Sequence, residues 1–445
     1  MDESLNKTAP LLFELQRHAL QELASTMRGQ QSPFELWQDW SKRSVSAMRY
    51  SAMVRDIGGG AFGAARLAGE KELASDDIFR LVYLPAKEEC AQGAALFHLG
   101  GVLPYGDPLF RFVPGTCFFE RFTERGLSVY ALELLPNPER LPLRSLGLEA
   151  LVDRIEHFAR VAFEHNRRRR MILEGYCGLG PQALVYLCAR PEDAAAKFDT
   201  LALFVSPVDG RRCGVLAEMM ARMPQGLIEL SFALAKSAGL VGGDALRLTQ
   251  DFALGALWAK SSMGMALQGW QRPELAELRA MGEAQAKVTK ELAGAYWISA
   301  ENARRFPVPL EIARFSARQF KEGVGEDGTL PASYRGEPLS LRALAERTDI
   351  EVFSFYGGED RLVPQETAWP LQSLLGERYH HVVHQGLGHV GYILSPRVWQ
   401  AGERKSLSPN PIELVLASKA AREETPKQDP AEGESEAEDR IRDED

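Results

Sequence analysis

The 445-residue sequence predicts an α/β fold, a mainly parallel sheet with helices on both faces, carrying a helical insertion and preceded by a helical segment. Three observations predict it. From residue 79 onward, short apolar runs alternate with stretches of helical texture. The runs are continuous in their apolar character, as strands buried on both faces are. The rhythm stops after residue 206 and resumes near residue 350. The runs are Phe79–Leu84, Ala94–His98, Leu127–Leu134, Met171–Glu174, Leu201–Val205, Val352–Tyr356 and His381–His384.

Ahead of the sheet, Leu12, Leu15, Ala19, Leu23 and Met27 recur at helical spacing. Ser32-Pro33-Phe34-Glu35 is a capping box with proline at the first helical position, and it opens a second helix bearing Phe34, Trp37, Trp40 and Met48. These helices read as packing on the core, or as a surface for a homodimer, a partner subunit or an apolar particle. Gly58-Gly59-Gly60 ends the pattern. Between the two halves of the sheet lie Leu227–Ala238, Leu246–Ala259 and Leu275–Ala293, all helical in texture. An insertion between strands of one sheet behaves as a cap over the catalytic edge. The expected organisation is a helical segment over 1–75, a core over 76–210 and 346–420, a cap over 211–345 and a tail over 421–445.

The net charge of −9 is concentrated in that tail, where eleven acidic residues face four basic ones. With few large apolar residues, the tail is expected to be disordered. The remainder is near neutrality and offers no face suited to nucleic acid. No run approaches the roughly 18 apolar residues that span a bilayer, and the acidic start lacks a secretory pattern. The five cysteines are scattered without CxxC pairs, which argues against a disulfide framework or a zinc site and suits a reducing cytoplasm. Nothing in the pattern calls for a metal or a cofactor.

Met171-Ile172-Leu173-Glu174-Gly175-Tyr176-Cys177-Gly178-Leu179-Gly180-Pro181 reads as strand, sharp turn, helix. A strained turn of this kind lifts a nucleophile above a sheet, and small residues flank it because strand and helix approach closely. A cysteine at a helix start is favoured as thiolate, and the Gly178 N–H is placed to receive an oxyanion. The plain alternative for any one cysteine is a small buried hydrophobe. Two later segments complete a set. Phe353–Tyr356 runs into Gly357-Gly358-Glu359-Asp360, and Val382–His384 runs into Gln385-Gly386-Leu387-Gly388-His389. The order nucleophile, acid, histidine is that of the α/β-hydrolase fold, with each member just after a strand. Cys177, Asp360 and His389 are therefore the expected nucleophile, carboxylate and base. Asp209 is a competing acid, while His380, His381 and His384 read as structural. His98-Leu99-Gly100-Gly101 follows the second run, where such folds supply the other oxyanion amide, so Leu99, Gly100, Gly101 and Val102 are the donor candidates. Arg167 to Arg170 reads as a solvated helix end or as a site for coenzyme A phosphates. Trp297, in the insertion, reads as lining an acyl passage or as packing.

On these residues the chain resembles the polyhydroxyalkanoate synthase family over roughly 75–410. The resemblance rests on the elbow Gly175–Gly180, on Gly357-Gly358-Glu359-Asp360-Arg361-Leu362-Val363-Pro364, on Gly386-Leu387-Gly388-His389-Val390-Gly391, and on Tyr296-Trp297 followed by Leu330-Pro331 and Leu339–Leu344. Synthase elbows are typically Gly-x-Cys-x-Gly-Gly, whereas Leu179 stands at the first closing glycine here. The Gly-x-Cys-x-x-Gly spacing is similar to a less characterised bacterial synthase-like group of unknown function. The resemblance implies an acyl-CoA substrate, an acyl chain carried on Cys177, thiol deprotonation by His389, and help to the incoming 3-hydroxyl from Asp360. It also implies a cytoplasmic protein at a polyester granule surface. A hydrolase releasing the same acyl-enzyme to water and a non-catalytic granule-binding protein are the competing readings.

Overall fold

The computed structural model describes residues 66–222 with short gaps at 88–92, 103–105, 112–116 and 136–139, isolated residues between 226 and 241, residues 306–399 and residues 407–424. The expected N-terminal helices, most of the insertion including Trp297, Cys90, and the chain beyond 424 lie outside the described residues.

An eight-stranded sheet organises the molecule. Counting only its strands, β1 is Lys71–Ser75, β2 Phe79–Leu84, β3 Ala95–Leu99, β4 Ser128–Leu134, β5 Met171–Tyr176, β6 Phe198–Phe204, β7 Glu351–Gly357 and β8 Tyr379–His384. Their spatial order is β1-β2-β4-β3-β5-β6-β7-β8. Strand β2 runs antiparallel to β1 and β4; every pair from β4 to β8 is parallel. A mostly parallel sheet in this order, with helical crossovers, is the α/β-hydrolase fold.

Side chains alternate between two apolar layers, as the two-residue period of a strand requires. Phe97, Leu173, Leu201, Leu203 and Val352 face one layer with helices α1 (Leu148–His165), α2 (Leu179–Ala189) and α4 (Leu341–Arg347). Leu96, Ile172, Tyr176, Phe204 and Phe355 face the other, with the short helix Phe118–Thr123 and helix α5 (Pro411–Glu424).

Three differences from the expected boundaries have a visible physical reason. Lys71–Ser75 pairs with β2, so the core starts inside the segment expected to be helical. Its residues are largely exposed, and edge pairing is what holds them extended. Strand β6 starts three residues before the apolar run, because Asp199 and Thr200 are satisfied by Lys419 and Arg422 of α5. Helix α5 correspondingly runs to Glu424, past the expected boundary at residue 420.

Of the described insertion, residues 306–322 sit at the carboxyl edge of the sheet. Gly106, after β3, is so close to Phe306 that a side chain there would strike the ring. Helix α3 (Leu310–Glu322) docks on the loop after β6, with Gln319 Nε2 donating to the Pro207 carbonyl at 2.6 Å. A two-residue bridge, Leu240–Val241 against Val308–Pro309, ties the outgoing and returning chain together. The hairpin Thr329–Tyr334 and Glu337–Ser340 then leads into α4, and Leu330, Leu339, Leu341 and Leu344 join the apolar core.

Candidate active site

Register places the site. Tyr176 pairs with Phe204, Phe204 with Phe355, and Gly357 with His384. Strands β5 to β8 therefore end along one edge, and the residues that follow them share it.

Strand β5 delivers Cys177. A Cβ on Gly175 would lie 2.8 Å from Gly180 Cα, and one on Gly180 would collide with the Ser206 side chain. Strand and outgoing helix thus touch, and the chain turns between them with Cys177 in the left-handed region at φ 49°. That conformation costs a residue with a Cβ about 1–2 kcal/mol. Packing of β5 and α2 offsets it, and the turn is pinned by Cys177 N–H to the Phe204 carbonyl at 2.8 Å and Gly180 N–H to the Cys177 carbonyl at 3.1 Å. The contact that demands glycine falls on Gly180, so Leu179 is accommodated, fully buried in the layer beside Tyr176.

Asp360 divides its two oxygens. Oδ1 accepts the Leu362 and Val363 amides at 2.9 and 3.0 Å, and Oδ2 accepts from His389 Nδ1 at 2.8 Å. The acid turn and the histidine loop are joined by Gly358 N–H to His384 O and Glu359 N–H to Leu387 O. Gly357 lies against the Leu387 backbone, where a side chain has no room. His389 Nδ1 bonds Asp360, and Cys177 stands close enough to the imidazole to influence its pKa. With Nδ1 engaged by Asp360, Nε2 is the nitrogen left for sulfur. Burial alone would lower the pKa of His389, but the Asp360 carboxylate bonded to it, with Cys177 beside it, raises it well above the ordinary histidine value.

Among the amides proposed for an oxyanion, the structure discriminates. Gly100 N–H is spent on the His98 carbonyl at 3.1 Å, Gly101 N–H on Asp107 Oδ1 at 2.9 Å, and Leu99 belongs to β3. The N–H groups of Gly178 and Val102 donate to none of the described residues. They are the two amides of the set left for a ligand.

The remaining candidates are occupied elsewhere. Asp209 is buried and bound by Arg211, Arg212 and the Val324 amide; the histidine of the site goes to Asp360 instead. Arg167 to Arg170 sits at the amino end of β5, and six residues at about 3.3 Å each put it about 20 Å from Cys177. Arg170 is paired with Asp349. That placement sets the run at the opposite edge of the sheet from Cys177. His380 stacks on Phe353, His381 bonds Gln365 and Tyr379, and His384 bonds Tyr392 and Pro409 O. Cys117, Cys188 and Cys213 are buried. Burial pushes the Cys188 thiol up to about 12 and the other two well above the usual thiol range.

Sequence reasoning missed two supports. Tyr176 Oη donates to the His389 carbonyl at 2.6 Å, but in the sequence it reads only as a strand residue. Asp107 holds the loop after β3 through Gly101 N–H and β4 through Leu134 N–H at 2.8 Å. Burial, reinforced by nearby Glu133, raises its pKa to about 6. No motif marks it. Among the described residues no helix is long and apolar enough to cross a membrane, and no group of three or more His, Cys, Asp or Glu could hold a metal ion.

No protein-family model matches the chain, and a search of curated proteins finds no match. Solved structures with a similar course include VinJ, 13% identical over 80% of this chain and 99% of that one, with a TM-score of 0.44. A membrane phospholipase A, described as a bacterial virulence factor, is 17% identical over 85% and 93%, TM-score 0.40. The esterase RhEst1 from Rhodococcus sp. is 14% identical over 74% and 94%, TM-score 0.37. The fold assignment rests on strand order and direction.

Proposed function

We propose that this chain is a cysteine-dependent acyltransferase of the polyhydroxyalkanoate synthase type, taking 3-hydroxyacyl groups from coenzyme A thioesters through an acyl-enzyme on Cys177. The observation that carries the reading is His389, bonded to Asp360 and standing beside a Cys177 held at a left-handed elbow. A thiolate at such a position has no structural task that alanine would not perform with less desolvation.

In the first step Cys177 Sγ bonds to the thioester carbon, the carbonyl electrons pass to oxygen, and the Gly178 and Val102 amides receive that charge. Collapse breaks the bond to coenzyme A, whose sulfur takes the proton from His389. In the second step the 3-hydroxyl of another acyl group gives its proton to His389 and attacks the Cys177 thioester, releasing the thiolate. Asp360 assists through His389, since one carboxylate oxygen is committed to two amides and the other to the imidazole.

The test follows coenzyme A release and polymer separately from (R)-3-hydroxybutyryl-CoA. Both products, lost in Cys177→Ala, are the expected result. Free 3-hydroxy acid without polymer would make the protein a hydrolase using the same acyl-enzyme. No release of coenzyme A would leave the granule-binding reading.

A further inference from the structure

Gln182 lies on the first turns of α2 and is buried. Its Nε2 donates to the Val102 carbonyl at 2.8 Å and to the Gly178 carbonyl at 3.3 Å. These are the two residues whose own N–H groups donate to none of the described residues. One side-chain nitrogen therefore bridges the loop after β3, 80 residues before Gln182, and the nucleophile turn four residues before it. Oε1 is buried without a hydrogen-bond partner. Flipping the amide would set that oxygen against two carbonyl oxygens, so only the observed orientation binds anything. A buried amide with half its capacity unused is costly to keep, and nothing in the packing of α2 requires it.

We infer that Gln182 is a positioning residue for the oxyanion site, setting the distance and orientation of the Val102 and Gly178 amides relative to each other. The inference rests on the proposed use of Cys177 as nucleophile. Val102 is held on both sides: its preceding residue by Asp107 on the Gly101 N–H, and its own carbonyl by Gln182. Gly178 is held likewise. Its peptide with Cys177 is fixed by Gly180 N–H on the Cys177 carbonyl, which turns the Gly178 N–H the opposite way because a trans peptide points its two polar groups apart. Its own carbonyl is fixed by Gln182. Without the bridge, the two segments remain anchored by the β3–β5 pairing behind them, but the last turn of each is free to adjust, and preorganisation is what makes such donors effective.

The test uses the full-length protein and an alkyl trifluoromethyl ketone. The Cys177 thiolate adds to the ketone carbon, a carbon–sulfur bond forms, the carbonyl pair moves to oxygen, and nothing leaves. Fluorine NMR reads the pKa of the resulting hemithioketal oxygen, and iodoacetamide, which develops no oxyanion, reads the thiolate independently. In Gln182→Met the oxygen pKa should rise by about one unit, a tenfold weaker anion site, and thioester turnover should fall about 10-fold or more with KM little changed. Iodoacetamide should alkylate Cys177 at the unaltered rate. Gln182→Glu, of the same size with fewer donors, repeats the test if the methionine variant does not fold. An unchanged oxygen pKa would overturn the inference while leaving Cys177 as nucleophile. Equal losses in alkylation and ketone addition would also overturn it, reducing Gln182 to a prop of the elbow. A wild-type protein that forms no adduct at Cys177 would overturn both the proposed function and this inference.

Discussion

Strands β5 and β6 end side by side, and each is followed by a non-glycine residue in the left-handed region, Cys177 at φ 49° and Val205 at φ 43°. The cost of the two conformations is similar, about 1–2 kcal/mol. The second is the more unusual, since a β-branched residue rarely adopts it. Beyond that the turns diverge. After Val205 the polar side chains are consumed. Ser206 Oγ donates to the Gly175 carbonyl at 3.0 Å, and Asp209 is neutralised by two arginines and backbone amides. After Cys177 capacity is left over: a partly exposed thiol and the Gly178 amide, with the Asp360-bound His389 close by. Backbone strain thus marks both turns, but unspent polar capacity marks only one as a reactive site.

The largest effect expected from this difference is loss of the thiol. Cys177→Ala should lower turnover about 10³-fold or more, measured as initial rates of coenzyme A release. Next are the two carboxylates. Asp360→Asn should reduce turnover on the order of 10³-fold while keeping the fold, because the amide oxygen still accepts from Leu362 and Val363. Asp209→Ala should reverse the pattern. It leaves buried amides unpaired and costs about 3 kcal/mol in denaturant unfolding, with residual folded protein active within a few-fold. Equal activity losses in the two variants would erase the distinction between the turns.

A packing test is smaller. Gly175→Ala sets a methyl group against Gly180 Cα and should cost about 1–3 kcal/mol, read by thermal unfolding, with a slower reaction of Cys177 toward iodoacetamide. The smallest effect is in pH. His389 has a raised pKa in the folded protein, so its pairing with Asp360 stabilises fully below the ordinary histidine value near 6.5 and fades as pH rises through the folded value. The melting gap between wild type and Asp360→Asn should therefore be widest near pH 6 and close on the alkaline side. A gap that widens with pH would contradict the assigned charge state.

Much of this was readable in sequence, for identifiable reasons. The continuous apolar strands gave seven of the eight sheet members, because burial on both faces leaves a local signature. Strand β1 had none, since its exposed residues depend on a neighbour for their conformation. Glycine spacing marked the elbow and the histidine loop because close contact excludes a side chain there. Which of the candidate amides after β3 is left unpaired among the described residues was not legible. Leu99, Gly100, Gly101 and Val102 look equivalent until Asp107 and the His98 carbonyl claim two of them. Tyr176, Asp107 and Gln182 act through single hydrogen bonds to distant backbone, and a one-dimensional pattern carries no trace of such pairs.

The central claim is that the free capacity after β5 is spent on a covalent acyl group. Brief mixing with (R)-3-hydroxybutyryl-CoA, acid quench and peptide mass analysis tests it directly. The account predicts a hydroxybutyryl mass increment on the peptide containing Cys177, absent from Cys177→Ala and slow to form in Asp360→Asn. An unmodified Cys177 in wild type, with turnover persisting in Cys177→Ala, would contradict it.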